Sequence, residues 1–397
     1  MKQIKLIRYK IFKNFYWFLY KIFGNEKYKN RSRGYQDKYS FLSRTPFKKF
    51  RKYIKKREKL PLCKYEKIAA FLPYDVISDE IWAWNDYYGI GDLYKKYAGY
   101  PLDYKLKFVI DHAVYFYNNH LHPDEYKVQL PAHMCTSAYA ENIMAPYLKT
   151  KLYPTGLHML YADDYYDERV FKKEKKKLGK NLLVFPCHSS DCLVLDWKPD
   201  KLIKEILKVK EEHNFDSVTI CFYFCEIQRK FHKNFEGYGF NFVTAGHILD
   251  PMFLSRLKTI IKLSDVTMSN DIGSHVFYSI GMNKPHYIVP ENNIEYRCTS
   301  GSSGSEWEKN AANDVISCRE DARNYMELFS IYTEELTEQQ KAVRDKISGF
   351  ESFKKPEEIK EFFQETERLY NEGDYLKYKE YTHNFTMMSY VQRCEED

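Results

Sequence analysis

Residues 241–289 read NFVTAGHILDPMFLSRLKTIIKLSDVTMSNDIGSHVFYSIGMNKPHYIV. Short apolar runs alternate here with an amphipathic segment, and small polar residues stand at each junction. Asp250-Pro251 is predicted to begin a helix, because Asp suits the N-cap and Pro suits the first helical position. Apolar residues then recur at helical spacing, which leaves three basic side chains toward solvent: Arg256, Lys258 and Lys262. The predicted order is helix, strand, helix, strand.

Two junctions of this segment carry residues that suit an anion. The β-prone run Val266–Met268 ends in Ser269 and Asn270, and Gly273-Ser274 precedes a short helix that ends at Gly281. In an α/β sheet, ligands lie beyond the carboxyl ends of the strands, and a helix N-terminus offers N–H groups to a phosphate. Ser269, Asn270, Gly273 and Ser274 are therefore predicted to bind phosphate. An ordinary strand-to-helix turn built from Asx and Gly residues explains the same spacing equally well.

The preceding residues supply more strands of the same sheet. Asn181–Phe185 is typical of a buried strand, and it leads into His188, Ser189 and Ser190. The run 201–213 predicts an amphipathic helix, and 217–224 predicts another strand. Thr244 to His247 ends a further strand, so Gly246 and His247 are predicted to join the same crevice. Alternating strands and helices of this length favour parallel βαβ units.

The first half of the chain shows a similar alternation of predicted strands and helices. The run 107–110 predicts a strand that ends in Asp111-His112, the run 131–137 leads into a helix, and 151–156 ends another strand. The charged run 171–180 is interpreted as a linker at a domain boundary. The predicted fold is α/β, with two Rossmann-like domains facing across a cleft, in a GT-B-like arrangement. The predicted divisions are a basic arm (1–60), a first domain (61–175), a nucleotide-binding domain (176–345) and C-terminal helices (346–397).

Charge is concentrated at one end of the 397-residue chain. Residues 1–60 hold 20 Lys and Arg against three acids, a net of +17, while the remainder holds 42 against 52, a net of −10. The aromatic run Ile11–Phe23 is too short and too rich in Lys to span a bilayer, and it lacks the pattern of a signal peptide. Basic and aromatic residues together favour an interfacial segment on an anionic membrane. Nucleic acid is a less favoured partner, and a basic helix that covers the protein's own surface is a third possibility.

Other features of the sequence indicate structure more than chemistry. The nine Cys lack paired or zinc-binding spacing, so they are interpreted as reduced thiols and no metal site is predicted. The run 299–305, TSGSSGS, is interpreted as a flexible loop or lid. Thr337–Gln340 predicts a capping box, and the run 356–370 predicts an amphipathic helix.

Two motifs resemble a known group of enzymes. VFPCHSS (184–190) and LSDVTMSNDIGSHVFYSIGMNKPHYIV (263–289) resemble the nucleotide-binding half of bacterial GT-B glycosyltransferases that build surface polysaccharides. The CMP-sugar group, which is polysialyltransferase-like and Kdo-transferase-like, has the most similar pattern. Similar turns occur in CDP-alditol phosphotransferases and in nucleotide-sugar 2-epimerases. The resemblance covers residues 182–289.

The resemblance implies roles for several residues on the donor side. His188 matches the His of a His-Pro motif that would contact the donor phosphate, although Ser189 stands where the family has Pro. Ser190 would support the same anion. Ser269 and Ser274 match the serines around the phosphate turn.

A base in the first domain would deprotonate the acceptor hydroxyl. Asp111 and His112 are the first candidates, because related families often carry an acid or a His at the end of this strand, and His133 is the second. A hydrogen-bonded loop residue explains each His equally well.

The expected function is therefore a metal-independent glycosyltransferase without a cofactor, whose substrate is a nucleotide-sugar donor. Its acceptor would be a lipid-linked, lipopolysaccharide or capsule glycan, reached by a peripheral protein on the cytoplasmic face of the cell membrane. Two alternatives stay open: a CDP-alditol-type phosphotransferase of the same fold, and a non-catalytic nucleotide- or membrane-binding adaptor.

Overall fold

A computed structural model describes residues 2–25, 27–28, 31–32, 35, 45–70, 76–78, 80–116, 130–146, 148, 150–189, 193–290, 295–298 and 320–373. These residues fall into two compact units. The smaller holds the described residues up to Lys56 together with 76–78, and the larger holds the rest. The predicted loop at 299–305 and Ser190 lie outside the described residues.

The described residues of the smaller unit form helices and a pair of short strands. Its elements are α1 (Lys2–Phe23), β1 (Thr45–Pro46), α2 (Phe47–Ile54) and β2 (Val76–Ile77). The two strands pair in parallel. Within the part of the chain that the structure describes, no helix is long and apolar enough to cross a membrane.

A five-stranded parallel sheet forms the centre of the larger unit. Its spatial order is β11-β10-β6-β8-β9, for the strands β6 (Asn181–Phe185), β8 (Ser217–Cys221), β9 (Asn241–Val243), β10 (Val266–Ser269) and β11 (His286–Ile288). Counted along the chain, the order is 3-2-1-4-5 read from β9, which is the doubly wound order of Rossmann-like sheets. Every residue of β6 is buried, as its unbroken apolar run predicts.

Helices connect these strands and cover the sheet. They are α6 (Glu168–Leu178), α7 (Asp200–Glu212), α8 (Phe224–Gln228), α9 (Phe253–Leu263) and α10 (Ser274–Gly281). An antiparallel pair of strands, β7 (Leu193–Asp196) and β12 (Glu295–Cys298), stands apart from the sheet. The predicted strand 217–224 is shorter than expected, because helix α8 already begins at Phe224.

A second parallel sheet comes from the first half of the chain. Its order is β3-β4-β5, for β3 (Val109–Ile110), β4 (Ala132–Cys135) and β5 (Lys151–Pro154). The helices of this region are α3 (Tyr65–Ile68), α4 (Ile90–Tyr97) and α5 (Ala138–Met144). Two Rossmann-like parts with parallel sheets therefore exist, which confirms the predicted α/β class.

The C-terminal helices follow the second sheet in the chain, and the last of them packs back onto the first half. They are α11 (Glu320–Leu328), α12 (Glu338–Ser348) and α13 (Pro356–Glu372). The predicted capping box is present at Thr337 and Gln340. The ring of Phe362 on α13 stacks on Tyr153 of β5 at 4.0 Å and meets Phe108 at 4.8 Å. The chain therefore returns to its first half after it has completed the second sheet.

Three sequence predictions about exposure and local structure are wrong. Arg256 was predicted to face solvent, but it is fully buried on α9, where its guanidinium binds the Asp250 carboxylate. Helix α9 begins at Phe253 rather than at Pro251. The run 171–180, predicted as a linker, belongs mostly to helix α6, which Asp167 caps by accepting from the Val170 amide. Apart from 76–78, the described residues from 57 to 373 lie in one compact unit, and the predicted boundaries at 60, 175 and 345 stay predictions.

Candidate functional site

A cavity of about 230 Å³ lies where the carboxyl ends of strands from both sheets meet. The first half of the chain contributes Tyr88, His112 and Ala113. The second sheet and its helices contribute the remaining lining residues: Phe185, Pro186, His188, Cys221, Phe222, Tyr223, Thr244, Ala245, Phe253, Leu254, Leu257, Ser274, His275 and Tyr278. The predicted cleft between two Rossmann-like parts is therefore present.

The cavity lies at the point where the strand order of the five-stranded sheet reverses. At this point β6 and β10 are neighbours, and their connecting helices run to opposite faces of the sheet. Asn270 joins the two strand ends, since its Oδ1 accepts the Cys187 amide at 2.7 Å and its Nδ2 contacts the Cys187 sulfur at 3.3 Å. This contact fixes the backbone that leads into His188. In open α/β sheets, ligands bind at this crevice.

The N-terminus of α10 faces the cavity and also contacts the first half of the chain. Ser274 is the first residue of the helix, and its Oγ accepts the Val114 amide at 3.2 Å. Gly273 precedes it in an extended conformation as N-cap. A helix N-terminus offers free N–H groups and the positive end of the helix dipole to an anion. Gly273 and Ser274 thus lie at a helix N-terminus that faces the cavity, and phosphate binding there stays a prediction.

Two histidines in the wall of the cavity present acceptor nitrogens. The Nε2 of His275 lies 3.2 Å from the Asp271 carbonyl, and the Nδ1 of His188 lies 3.0 Å from the Ser189 carbonyl. A carbonyl accepts, so each neutral ring donates its one N–H to the backbone, and its other nitrogen has a lone pair. Each ring can donate to a phosphate oxygen as well only when it becomes protonated.

The surrounding protein favours the neutral form of both rings. Burial, together with a smaller effect of the neighbouring His188, lowers the pKa of His275 to about 3. The ring of His188 is exposed at the cavity and stacks on Tyr223 at 4.2 Å. The surrounding protein lowers the pKa of His188, and the Glu226 carboxylate works against this shift. Imidazoles with depressed pKa values therefore line the cavity.

In the part of the wall that the first half of the chain contributes, aromatic rings hold His112. The His112 ring meets Trp84 edge-on at 5.3 Å and Tyr87 edge-on at 5.2 Å, and Tyr88 lies at 6.3 Å. His112 lies two residues after β3, so the end of the first sheet sets its position. The cavity is thus lined by one His from the first half of the chain and two from the second.

Asp111 and His133 do not line the cavity. They form a buried pair, with 2.5 Å between Asp111 Oδ1 and His133 Nε2, and both are nearly inaccessible to solvent. Burial raises the pKa of Asp111, and the partly opposing effect comes from His133. The geometry assigns this pair to holding the ends of β3 and β4 together beneath His112. Of the three predicted catalytic residues, His112 lines the cavity, and Asp111 and His133 do not.

Most of the predicted phosphate ligands in the loops serve the protein's own structure. Ser269 is buried, where its Oγ donates to the Asp271 carbonyl and contacts His286 Nε2 at 2.9 Å. Ser189 is buried as well, with its amide bound to Glu226 at 2.6 Å and its Oγ accepting the Leu195 amide. Asn270 joins the strand ends as described above. The alternative prediction, a turn built from polar side chains, explains these residues.

Gly246 and His247 lie behind the cavity wall. Gly246 has φ +108°, and a Cβ there would approach the Arg256 guanidinium at 2.9 Å, so this position requires glycine. His247 is buried against Phe224, its Nδ1 accepts the Leu249 amide, and burial lowers its pKa to about 3. Both residues shape the loop that carries Thr244 and Ala245 to the cavity.

The sequence contains a signal for one further residue of the cavity, His275. His275 stands next to Ser274 at the start of α10, and a titratable residue at the first turn after a polar strand end is a candidate ligand. The aromatic walls could not be found this way, because Tyr88, Tyr223 and Tyr278 come from distant segments. The cysteines at 63, 135, 187, 221 and 225 are free thiols, as predicted.

The composition of the walls limits what can bind. The described residues that line the cavity include no Asp, Glu, Lys or Arg. Among the residues of the chain that the structure describes, no group of three His, Cys, Asp or Glu side chains could hold a metal ion. An anion in this cavity would be balanced by the imidazoles and the N-terminus of α10, and aromatic faces would hold a ring.

Comparisons with known proteins show likeness in structure and none in sequence family. No protein-family model matches the chain, and no curated protein matches it. A UDP-GlcNAc 2-epimerase from Neisseria meningitidis bound to UDP-GlcNAc is 12% identical, with a TM-score of 0.33, over 62% of this chain and 63% of the epimerase, which is less than two thirds of its length. The S. aureus MnaA structure with UDP is 12% identical, with a TM-score of 0.36, over 72% of this chain and 80% of that one. At this level of similarity, neither protein assigns a family or an activity to the chain.

Proposed function

We propose that the chain is an enzyme that processes a nucleotide sugar in this cavity and transfers the sugar to a hydroxyl of a glycan acceptor. The observation that carries the proposal is the cavity at the strand-order reversal, which is lined by His188, His275 and the start of α10 from the second half of the chain and by His112 from the first. The proposed acceptor class is a lipid-linked, lipopolysaccharide or capsule glycan at the cytoplasmic face of the membrane.

The donor phosphate is proposed to lie between α10 and the two imidazoles. Ser274 begins α10 at the cavity, and helix N–H groups and protonated imidazoles stabilise a developing phosphate charge. The lining aromatic rings, which include Tyr88 and Tyr223, offer faces for stacking on a base or a sugar. The residues present therefore suit a departing nucleotide phosphate.

His112 is proposed as the general base. In the proposed step, the acceptor oxygen forms a bond to the anomeric carbon while the bond from that carbon to the donor phosphate oxygen breaks. The acceptor proton moves to a ring nitrogen of His112, and the electron pair leaves with the nucleotide. Its place in the lining of the cavity, on the segment that follows β3, is what supports this role.

Kinetics of two single variants test the separate roles of His112 as general base and of His188 in donor binding. His112→Ala is expected to lower kcat by about 10²- to 10⁴-fold with little change in donor affinity, because a general base acts on the acceptor. His188→Ala is expected to weaken donor binding instead. The control is His213→Ala, whose ring stacks on Tyr332 at 3.7 Å away from the cavity. Turnover is measured as nucleotide release from UDP-, CMP- and GDP-sugars with a glycan acceptor.

Each alternative function predicts a different outcome of the same assay. Turnover of CDP-glycerol with transfer of its phosphoalditol group indicates the phosphotransferase. Nucleotide binding without turnover of any donor indicates the adaptor. An unchanged kcat in His112→Ala would contradict the proposal that His112 is the general base that deprotonates the acceptor.

A further inference from the structure

Helix α1 carries a continuous exposed apolar stripe. Seven large apolar side chains are 51–71% exposed on this one helix, and one of them, Phe23, lies off the stripe at the end of the helix. The other six form the stripe: Ile4, Ile7, Ile11, Phe15, Phe18 and Ile22. At about 100° per residue, they fall within an arc of roughly 80°. An exposed apolar patch of this length on a helix marks an interaction surface.

The spacing of the stripe fits a flat partner better than a second helix. The steps along it are 3, 4, 4, 3 and 4 residues, and Ile4 and Ile22 are 18 residues apart, which is about five turns of a straight helix. A coiled coil needs a repeat of 3.5 residues, and a stripe of that period winds around the helix axis. This stripe keeps one direction along the whole helix.

The opposite face of α1 already has its packing partners within the smaller unit. Tyr9, Phe12 and Tyr16 contact the ring of Tyr35, the last of them stacked at 5.6 Å. The hydroxyl of Ser32 donates to the Lys13 carbonyl at 3.0 Å. The helix is therefore held by one face and presents the apolar stripe on the other.

Exposed cations flank the stripe on both sides. Arg8 lies about 60° from its centre in one direction, and Lys21 and Lys10 lie about 80° and 100° from it in the other. All three are exposed. Arg8 also lies over the Phe12 ring at 5.5 Å, and Lys21 over the Trp17 ring at 5.5 Å. An apolar stripe with exposed cations on both sides matches a bilayer whose headgroups are anionic.

We propose that α1 lies in the plane of an anionic membrane surface, with the Ile4–Ile22 stripe inserted among the acyl chains and Arg8, Lys10 and Lys21 at the phosphates. The exposed stripe, its straight course and the flanking charges carry this inference. It is independent of the chemistry in the cavity, because every residue that it uses belongs to the smaller unit.

The test measures binding of the full chain to vesicles of phosphatidylcholine alone and with added phosphatidylglycerol. Ile11→Asp/Phe18→Asp is expected to lower partitioning by more than about tenfold, because two side chains lose their apolar burial. Arg8→Gln/Lys10→Gln/Lys21→Gln is expected to reduce the preference for anionic vesicles by roughly fivefold per charge. Ile331→Asp, at an equally exposed Ile of the larger unit, is the matched control.

Three results would overturn the proposal. One is equal sedimentation of the wild type and Ile11→Asp/Phe18→Asp with anionic vesicles. Another is an equal loss of binding in Ile331→Asp. The third is a stable dimer, without vesicles, that Ile11→Asp/Phe18→Asp converts to monomer, since this would identify a second copy as the partner of the stripe.

Discussion

Asp250→Ala is expected to lower the free energy of unfolding by about 3–5 kcal/mol, because it leaves the buried Arg256 guanidinium without its counter-ion. Both side chains are fully buried, and Arg256 Nη1 lies 2.6 Å from Asp250 Oδ2. Asp250 Oδ1 also accepts the Met252 amide at 2.9 Å. The substitution therefore removes a charge pair and a turn contact together.

The same change is expected to disturb the cavity. Arg256 donates to the Ala245 carbonyl at 3.1 Å and to the Arg57 carbonyl at 3.0 Å, so it ties the loop after β9 to the start of the larger unit. That loop carries Thr244 and Ala245 into the cavity wall. Without its counter-ion, the guanidinium is expected to move toward solvent and to displace this loop with it.

Urea denaturation measures the effect, with Asp164→Ala as the matched control. Asp164 pairs with Lys262, which lies on α9 as Arg256 does. This pair is about one third exposed, so its loss is expected to lower the free energy of unfolding by less than about 1 kcal/mol. Replacing both buried partners, as in Asp250→Leu/Arg256→Met, is expected to restore part of the stability. Similar losses in Asp250→Ala and Asp164→Ala would show that the buried pair has no special role.

Gly349→Ala is expected to destabilise the protein by about 2–5 kcal/mol, from backbone strain and overpacking together. Gly349 follows α12 with φ +59°, a conformation that favours glycine. A Cβ would collide with the Thr136 carbonyl and lie 2.9 Å from the Ser137 Cα. Both atoms belong to the backbone after β4, so neither can move aside cheaply.

Gly99→Ala separates the two causes. Gly99 follows α4 with φ +75°, but a Cβ there meets nothing within 4 Å. This variant is therefore expected to show the strain alone, about 1–2 kcal/mol. Thermal and urea unfolding of both variants give the comparison. Equal losses would mean that the close approach of α12 to the first sheet contributes nothing to stability.

The sequence predicted the elements whose pattern is local. Asn181–Phe185 is a strand with the predicted bounds, and the capping box at Thr337 is present, because both depend on neighbouring residues. The burial of Arg256 could not be predicted from helical periodicity. Its partner Asp250 comes from the preceding turn. The ion pair with Asp250, which forms only in the folded chain, offsets the free-energy cost of burying the Arg256 guanidinium.

The candidate site was predictable in outline and less so in its ligands. Strand ends place His112, His188 and Ser274 at one crevice, and the rule that ligands lie beyond carboxyl strand ends found all three. The rule does not tell whether a polar side chain faces the ligand or the neighbouring backbone. Ser269 and Asn270 face the protein, since hydrogen bonds between strand ends compete for them.

Protonation links the histidines to the proposed donor. His275 has a pKa of about 3, so it is neutral at pH 7. A bound phosphate would favour the imidazolium and raise this pKa, and binding would then take up protons. Affinity should therefore rise as the pH falls below the raised pKa of the complex, and the gain should diminish in His275→Asn.

Calorimetric titration of the wild type with UDP, CDP, GDP and CMP, each beside its uncharged nucleoside, tests the cavity most directly. Measurements in two buffers of different ionisation enthalpy report the protons taken up. We predict that at least one nucleotide binds much more tightly than its nucleoside, with proton uptake, and that His188→Ala and His275→Asn both weaken it. Equal affinity for nucleotide and nucleoside, or binding that neither variant changes, would contradict the assignment of this cavity as a nucleotide-sugar site.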